Sequence, residues 1–296
     1  MTSETIRGIL RQNEPLARYT SWHVGGNARQ TFRPADLSDL QLFLSTLPLE
    51  EPLIWLGLGS NVLIRDGGIN GTVIMTQGRL NQLAHLPDLT VRAEAGITCA
   101  KMAKFCAKLG FSEAAFFAGV PGTVGGALRM NAGAFGGETW RYVKAVETID
   151  RKGQIHLRTP QEFQVSYRTV VHPADEWFAA GHFAFPQGDV DTAHQAIREL
   201  LAKRGASQPI GEFNCGSVFR NPQGGYAARL IESSGLKGFR LGDARVSEKH
   251  ANFIINSGKA TAADIEKLIQ LVQQKVQEQH GVQLQTEVHI IGDALN

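Results

Sequence analysis

Two hydrophobic periods alternate along the chain. PLIWLGLG (Pro52–Gly59) is a nearly unbroken apolar run closed by glycine and predicts a short buried strand; NGTVIMT (Asn70–Thr76) predicts another. LTVRAEAG (Leu89–Gly96) alternates apolar and polar, after which Thr98 can cap a helix that runs through Leu109 to a stop at Gly110. In that helix Met102, Phe105, Cys106 and Leu109 fall at i, i+3, i+4 and i+7. A second helix is predicted from Thr192 to Arg204, with Ile197, Leu200 and Leu201 inward and Gly205 after it. The strongest helical pattern covers Ala262–His280. Thr261 and Asp264 have the spacing of a capping box, Ile265, Leu268, Ile269, Val272 and Val276 share one face, and Gly281 stops it. VQLQTEVHII (Val282–Ile291) then reads as a strand, with Val282, Leu284, Thr286, Val288 and Ile290 on one face and Gln283, Gln285, Glu287 and His289 on the other. The class is α+β, and FPQGDVD (Phe185–Asp191) breaks the pattern where a boundary is expected.

Composition narrows the partners. Of the 296 residues 43% are hydrophobic, so a sizeable core is available, and a net charge of +2 without like-charge runs gives no sign of a nucleic-acid partner. No apolar stretch is long enough to span a bilayer and the N-terminus has no signal-type apolar block, so a cytoplasmic chain with no membrane contact is expected. The three cysteines (Cys99, Cys106 and Cys215) show no CxxC spacing, and the histidines form no HExxH-like cluster. Neither a disulfide framework nor a metal site is expected.

Glycine changes the picture. In GVPGTVGGALRMNAGAFGGE (Gly119–Glu138) seven of the first nineteen residues are glycine and no charge precedes Arg129; LGLGSNVLIRDGGING holds a second cluster. Ordering glycine carries a large entropic penalty, so such loops need a reason. Successive exposed N–H groups can form an anion nest, and Ser60 and Asn61 add donors to LGLGSN. Neither loop matches a P-loop or a Rossmann fingerprint, and tight turns in a β-rich domain remain an equal alternative.

TSWHVGGNA, LGLGSNVLIRDGG, AGVPGTVGGALRMNAGAFGGE, VSYR, CGSVFRNP, LIESSGLKG, GDARVSEKHANFIIN and TEVHIIG occur in this order between Tyr19 and Gly292. On these blocks the chain resembles the UDP-N-acetylenolpyruvoylglucosamine reductase family. The resemblance implies an FAD-binding domain of the vanillyl-alcohol-oxidase (PCMH) type in two subdomains, 1–75 and 76–188, then an α+β substrate-binding domain, 189–288, with 289–296 as candidates to return to the first. It implies non-covalent FAD, NADPH as electron donor and a UDP-sugar enolpyruvyl ether as substrate in peptidoglycan precursor synthesis, with no obligatory protein partner. The glycine loops would line FAD through Gly57, Gly59, Ser60, Asn61 and Val62, and through Gly119, Pro121, Gly122, Thr123, Gly125, Gly126 and Ala127.

The same resemblance assigns the chemistry. Arg168 in VSYR matches the cation for the substrate carboxylate, although an arginine in a strand-like run is also a common surface residue. Ser217 in CGSVFRNP matches the proton donor, with Cys215 a rival because strand alternation would place both on one face. Glu287 in TEVHI matches the active-site glutamate, its charge state open between an arginine's pull and burial. Asn221 matches a contact to the UDP part, Arg204 is a candidate for the diphosphate, and His250 either faces the substrate or pairs with a core carbonyl. The lid tyrosine of first-type members has no counterpart, since FAFPQGDVDTAHQ passes directly into a helix; the chain resembles the second type, and Tyr226 is expected to be structural. An oxidase of the same fold and a sugar-nucleotide-binding regulator without flavin are the competing readings.

Overall fold

A computed structural model describes residues 5–295. The chain folds into two compact units. The first comprises 5–11, Gln30–Leu58 and Gly71–Arg204, and the second comprises Gln12–Arg29, Gly59–Asn70 and 205–295. The mixture of helices and strands is the α+β class expected.

The first unit contains an antiparallel five-stranded sheet in the spatial order Ile155–Arg158, Val143–Asp150, Glu176–Phe183, Val91–Glu94, Leu83–His85. Helices α1 (Leu37–Thr46), α2 (Cys99–Lys108) and α3 (Val124–Met130) also belong to it, as does α4 (Val190–Ser207) up to Arg204. The predicted strands at Leu53–Leu56 and Ile69–Met75 form, and Leu53 to Leu56 pair in parallel with Thr72 to Met75. Thr98 caps α2, its side chain accepting from the Lys101 N–H, and Met102, Cys99 and Cys106 are fully buried. Ala193, Ile197 and Leu200 of α4 enter the same core as Met102 and Phe117, which is why α4 joins this unit although the pattern broke at Phe185–Asp191. Two details differ from expectation. Gly205 lies inside α4 rather than after it, and Leu201 is 42% exposed because it falls at the edge of the buried stripe.

The second unit packs α5 (Ala227–Ser233) and α6 (Ala262–His280) with a three-stranded antiparallel sheet, Arg240–Leu241, Ala244–Val246 and Ile254–Asn256. α6 has its capping box between Thr261 and Asp264, the five predicted apolar positions are buried, and Gly281 ends it at φ 68°. Trp22 is fully buried here. Its Nε1 donates to the Ile254 carbonyl at 2.8 Å, and Asn256 Nδ2 donates to the Trp22 carbonyl at 2.8 Å. His289–Ile291 returns to pair in parallel with Val62–Ile64, beside the first glycine loop. The regular strand is shorter than the predicted Val282–Ile291, but Leu284 and Val288 are buried where Gln283, Gln285 and His289 are exposed.

Candidate active site

The two glycine loops prepare different surfaces. From Gly57 to Ser60 the backbone N–H groups donate no hydrogen bond among the described residues, and neither does the half-buried Ser60 hydroxyl. Gly59 must be glycine. At φ 64° a Cβ there would lie 2.0 Å from the Tyr19 carbonyl oxygen, while the Gly59 carbonyl accepts from Ser21 N–H at 2.9 Å. A run of backbone N–H groups without an internal acceptor among the described residues, and without a lysine, is the donor set expected for a diphosphate. Asn61 is partly used internally, since its Nδ2 donates to the Glu287 carbonyl at 3.0 Å and its own carbonyl accepts from His289 N–H at 3.1 Å. Val62 is buried and starts the strand that pairs with His289.

Most donors of the second loop are satisfied internally. Gly122, Val124, Gly125 and Ala127 N–H groups go to the Val120, Ile97, Ala95 and Thr123 carbonyls, and Gly126 N–H reaches Thr123 Oγ1 at 3.5 Å. Its glycines serve close approach. A Cβ on Gly57 would sit 2.4 Å from Thr123 Oγ1 and one on Gly125 2.8 Å from Ala95 Cβ, whereas Gly126 has nothing nearer than Thr123 Oγ1 at 3.8 Å. Gly119 is buried, its Cβ position 3.0 Å from Ala134 and Leu200 atoms, while Pro121 is exposed. The structure thus brings Gly57 of one loop against Thr123 of the other, and leaves an open face at Pro121 and Gly126.

Arg168 reaches the same glycine-rich stretch from a separate hairpin. Gln164–Ser166 and Thr169–Val171 form a hairpin whose two turn residues are Tyr167 and Arg168. Arg168 therefore sits in a turn at φ 56°, not within a strand. Its guanidinium donates to the Gly133 carbonyl at 2.8 Å and to the Asn131 carbonyl at 3.4 Å, and lies 5.3 Å over the Tyr167 ring. Asn131, buried and left-handed at the end of α3, donates to the Ser166 carbonyl, and Arg129 donates to the Val170 carbonyl. The hairpin is tied to α3 on both sides of the turn.

In the second unit the structure places Ser217 and Glu287 on adjoining segments. Phe219 and Thr286 form an antiparallel bridge, Glu287 N–H donates to the Val218 carbonyl at 2.8 Å, and Arg220 N–H donates to the Gln285 carbonyl at 2.9 Å. Ser217 and Glu287 are both half-buried, and the Ser217 hydroxyl has no hydrogen-bond partner among the described residues. Cys215 faces elsewhere. It is 3% exposed, its thiol aims at the Val62 carbonyl at 3.5 Å and the Gly59 carbonyl at 3.7 Å, and burial pushes its pKa up to about 12. Such a thiol packs under the glycine loop; the alternation that would pair it with Ser217 is broken at Gly216, where φ is 71°.

Asn221 is exposed, and its Oδ1 accepts from Ala227 N–H at 3.1 Å, which orders the loop before α5. Tyr226 is 57% exposed with Arg229 5.0 Å over its ring, so it is a surface residue and not a core support. Arg204 lies in the last turns of α4, half-buried, and that burial lowers its pKa. His250 is half-buried. Burial lowers its pKa, its Nδ1 accepts from Asn252 N–H at 3.3 Å, and its ring meets Phe253 edge-on at 4.7 Å between centroids. Its Nδ1 is thus paired internally, with an N–H and not with a core carbonyl. Arg168 and Arg204 belong to the first unit, Ser217, Glu287, Asn221 and His250 to the second. Asn131 and Asn252, both buried and both gripping backbone next to assigned residues, carry no sequence signal beyond lying inside the quoted blocks. Among the described residues there is no His, Cys, Asp or Glu group able to hold a metal, and no helix long and apolar enough to cross a membrane.

Residues 28–157 match the family described as an FAD binding domain, and 208–291 match the C-terminal domain of UDP-N-acetylenolpyruvoylglucosamine reductase. The chain is 60% identical to the UDP-N-acetylenolpyruvoylglucosamine reductase of Coxiella burnetii (strain Dugway 5J108-111), over 97% of both chains. It is 59% identical to that of Legionella pneumophila (strain Paris), over 97% of this chain and 95% of the relative. The crystal structure of the reductase from Thermus caldophilus superposes with a TM-score of 0.79 at 30% identity, covering 97% of this chain and 99% of that one. Matched by an FAD-binding domain over 28–157, by the reductase's C-terminal domain over 208–291, and by a relative 60% identical over 97% of its length, the chain belongs to the UDP-N-acetylenolpyruvoylglucosamine reductase family.

Proposed function

We propose that the protein catalyses the NADPH-dependent, FAD-mediated reduction of UDP-N-acetylglucosamine enolpyruvate to UDP-N-acetylmuramate, a step of peptidoglycan precursor synthesis. Family membership supports the reaction, and the pairing of the Ser217 and Glu287 segments beside Asn61 of the first glycine loop is the observation that carries it to residues. FAD, when bound, supplies a two-electron carrier between NADPH and the β-carbon of the enolpyruvyl ether. The free N–H groups of Gly57 to Ser60 suit its diphosphate, with Asn61 and Val62 holding that loop in place. The open face at Pro121 and Gly126, framed by Gly119, Gly122, Thr123, Gly125 and Ala127, suits a planar ligand close to backbone.

Arg168 pairs with the substrate carboxylate and holds the enolate charge that grows there, a task for a cation already positioned by two carbonyls. Ser217 gives its proton to the α-carbon. A hydroxyl is a weak acid in water, but a substrate carbanion is a strong base, and this hydroxyl has no competing partner among the described residues. Glu287 polarises the same centre from the adjoining segment, and Asn221, Arg204 and His250 contact the UDP moiety. The substrates are small molecules; the reading requires neither nucleic acid nor a protein partner, and places the enzyme in the cytoplasm, where NADPH and UDP-sugars are supplied.

Ser217→Ala tests the assignment. NADPH should reduce the bound flavin at the wild-type rate, while its reoxidation by the enolpyruvyl substrate slows about 10²–10⁴-fold, the usual loss of a positioned acid. Reoxidation at the wild-type rate would remove Ser217 from the mechanism.

A further inference from the structure

Ser217 poses a positioning problem. Its hydroxyl makes no hydrogen bond among the described residues, so only the backbone on either side can fix it. On the N-terminal side Gly216 N–H donates to Asn214 Oδ1 at 3.0 Å. On the C-terminal side one buried residue does most of the work. Asn252, 4% exposed, accepts Val218 N–H on its carbonyl at 2.9 Å, accepts Phe219 N–H on Oδ1 at 2.9 Å, and donates from Nδ2 to the Phe219 carbonyl at 2.8 Å. Its remaining polar group, the N–H, goes to His250 Nδ1 at 3.3 Å.

The two side-chain bonds imitate a strand partner. An antiparallel neighbour would exchange N–H and C=O with Phe219, and Asn252 does this with its amide from a turn, where no strand runs. A side-chain amide carries both a donor and an acceptor in one plane, which this exchange requires. Asp would keep the bond from Phe219 N–H but set a carboxylate against a carbonyl; an apolar residue would leave both Phe219 groups buried without partners. On the opposite edge the Val218 carbonyl is held by Glu287 N–H, so Val218–Phe219 is gripped from both sides and Ser217 is its first residue outward.

We propose that Asn252 is a positioning residue for proton delivery: its amide clamps Val218–Phe219 and thereby fixes the direction of the Ser217 hydroxyl. The inference rests on the reading of Ser217 as the proton donor. Asn252 does not touch the substrate; it acts through Ser217 alone. A clamp of this kind affects the step that needs the hydroxyl and leaves flavin reduction untouched.

The experiment resolves the two half-reactions of the holoenzyme by anaerobic stopped flow in wild type, Asn252→Asp, Ser217→Ala and the double variant. Asn252→Ser, which keeps a small acceptor, takes the place of Asn252→Asp should the latter not fold. The expected result is flavin reduction by NADPH within about two-fold of wild type and reoxidation by the enolpyruvyl substrate slowed about 10–10²-fold, the size of an ångström-scale misplacement. In the Ser217→Ala background the second substitution should add nothing, because the group it aims is gone. A purely structural residue would slow both half-reactions, or slow reoxidation equally in both backgrounds, and either result overturns the proposal. Reoxidation near the wild-type rate in the Asn252 variants overturns it as well. If Ser217→Ala alone leaves reoxidation unchanged, the proton-donor reading fails and this inference falls with it.

Discussion

Replacing Gly57 by alanine should unsettle the helix cap of the other glycine loop. The new Cβ would lie 2.4 Å from Thr123 Oγ1, about 1 Å inside ordinary contact, while Thr123 Cβ is 3.4 Å away and acceptable. Thr123 is 2% exposed and its backbone is pinned on both sides, by Cys99 N–H on the Gly122 carbonyl and by Val124 N–H on the Ile97 carbonyl. The hydroxyl must therefore rotate away from Gly126 N–H, which removes the cap of α3. Loss of a threonine cap costs about 1 kcal/mol and overpacking about 1–3 kcal/mol, so Gly57→Ala should lose about 2–4 kcal/mol. Thr123→Ala alone should lose about 1 kcal/mol. The double variant should resemble Thr123→Ala, because the clashing oxygen has gone, giving a favourable coupling of about 2–4 kcal/mol, the whole of the Gly57→Ala loss. Urea denaturation of the apoprotein reads all four corners. Additive losses, or a Gly57→Ala protein as stable as wild type, would refute the claim that the two loops interlock at this point.

Gly126 behaves oppositely. Nothing but Thr123 Oγ1 at 3.8 Å meets a Cβ there, so Gly126→Ala should stabilise the apoprotein by up to about 1 kcal/mol as a helix substitution while weakening FAD binding, measured by flavin fluorescence titration. Equal FAD affinity would take the cofactor off this face. Cys99, Cys106 and Cys215 are buried and each is pushed up to about 12, so a thiol reagent near pH 8 should find no fast thiol in the native protein and all three after denaturation. Rapid native labelling of Cys215, or a Cys215→Ala protein that loses proton delivery, would contradict its place under the glycine loop. His250 carries a pH signature. Burial holds its folded pKa below 6.5, so the unfolded chain binds the extra proton first, and the stability it contributes is complete above that value and lost as pH falls through it. Protonation also removes the acceptor for Asn252 N–H. Between about pH 7.5 and about pH 5.5 wild type should lose more stability than His250→Gln, and parallel losses would show that His250 does not couple to folding.

What was legible in the chain follows from how far each signal travels. α6 could be drawn from its capping box, apolar stripe and terminal glycine because all three are local. The strand alternation that put Glu287 on the polar side survives as burial of Leu284 and Val288, although regular pairing begins only at His289. Long-range pairings left no trace. Nothing local joins Trp22 to Ile254 and Asn256, or Val62–Ile64 to His289–Ile291, yet those contacts give the second unit its shape. The family blocks located Arg168 and Ser217 but not their settings, a two-residue turn at positive φ and a clamped segment after Gly216. Asn252 was invisible for a related reason: its role is to bond backbone that lies far off in sequence, and such bonds have no period.

One anaerobic spectrophotometric titration tests cofactor, electron donor and acceptor together. The purified protein, loaded with FAD, is bleached with NADPH and then given UDP-N-acetylglucosamine enolpyruvate. The oxidised-flavin absorption should be lost and then return stoichiometrically with the substrate. Bleaching without return would contradict the proposed acceptor, and a protein that binds no flavin would contradict the role given to both glycine loops.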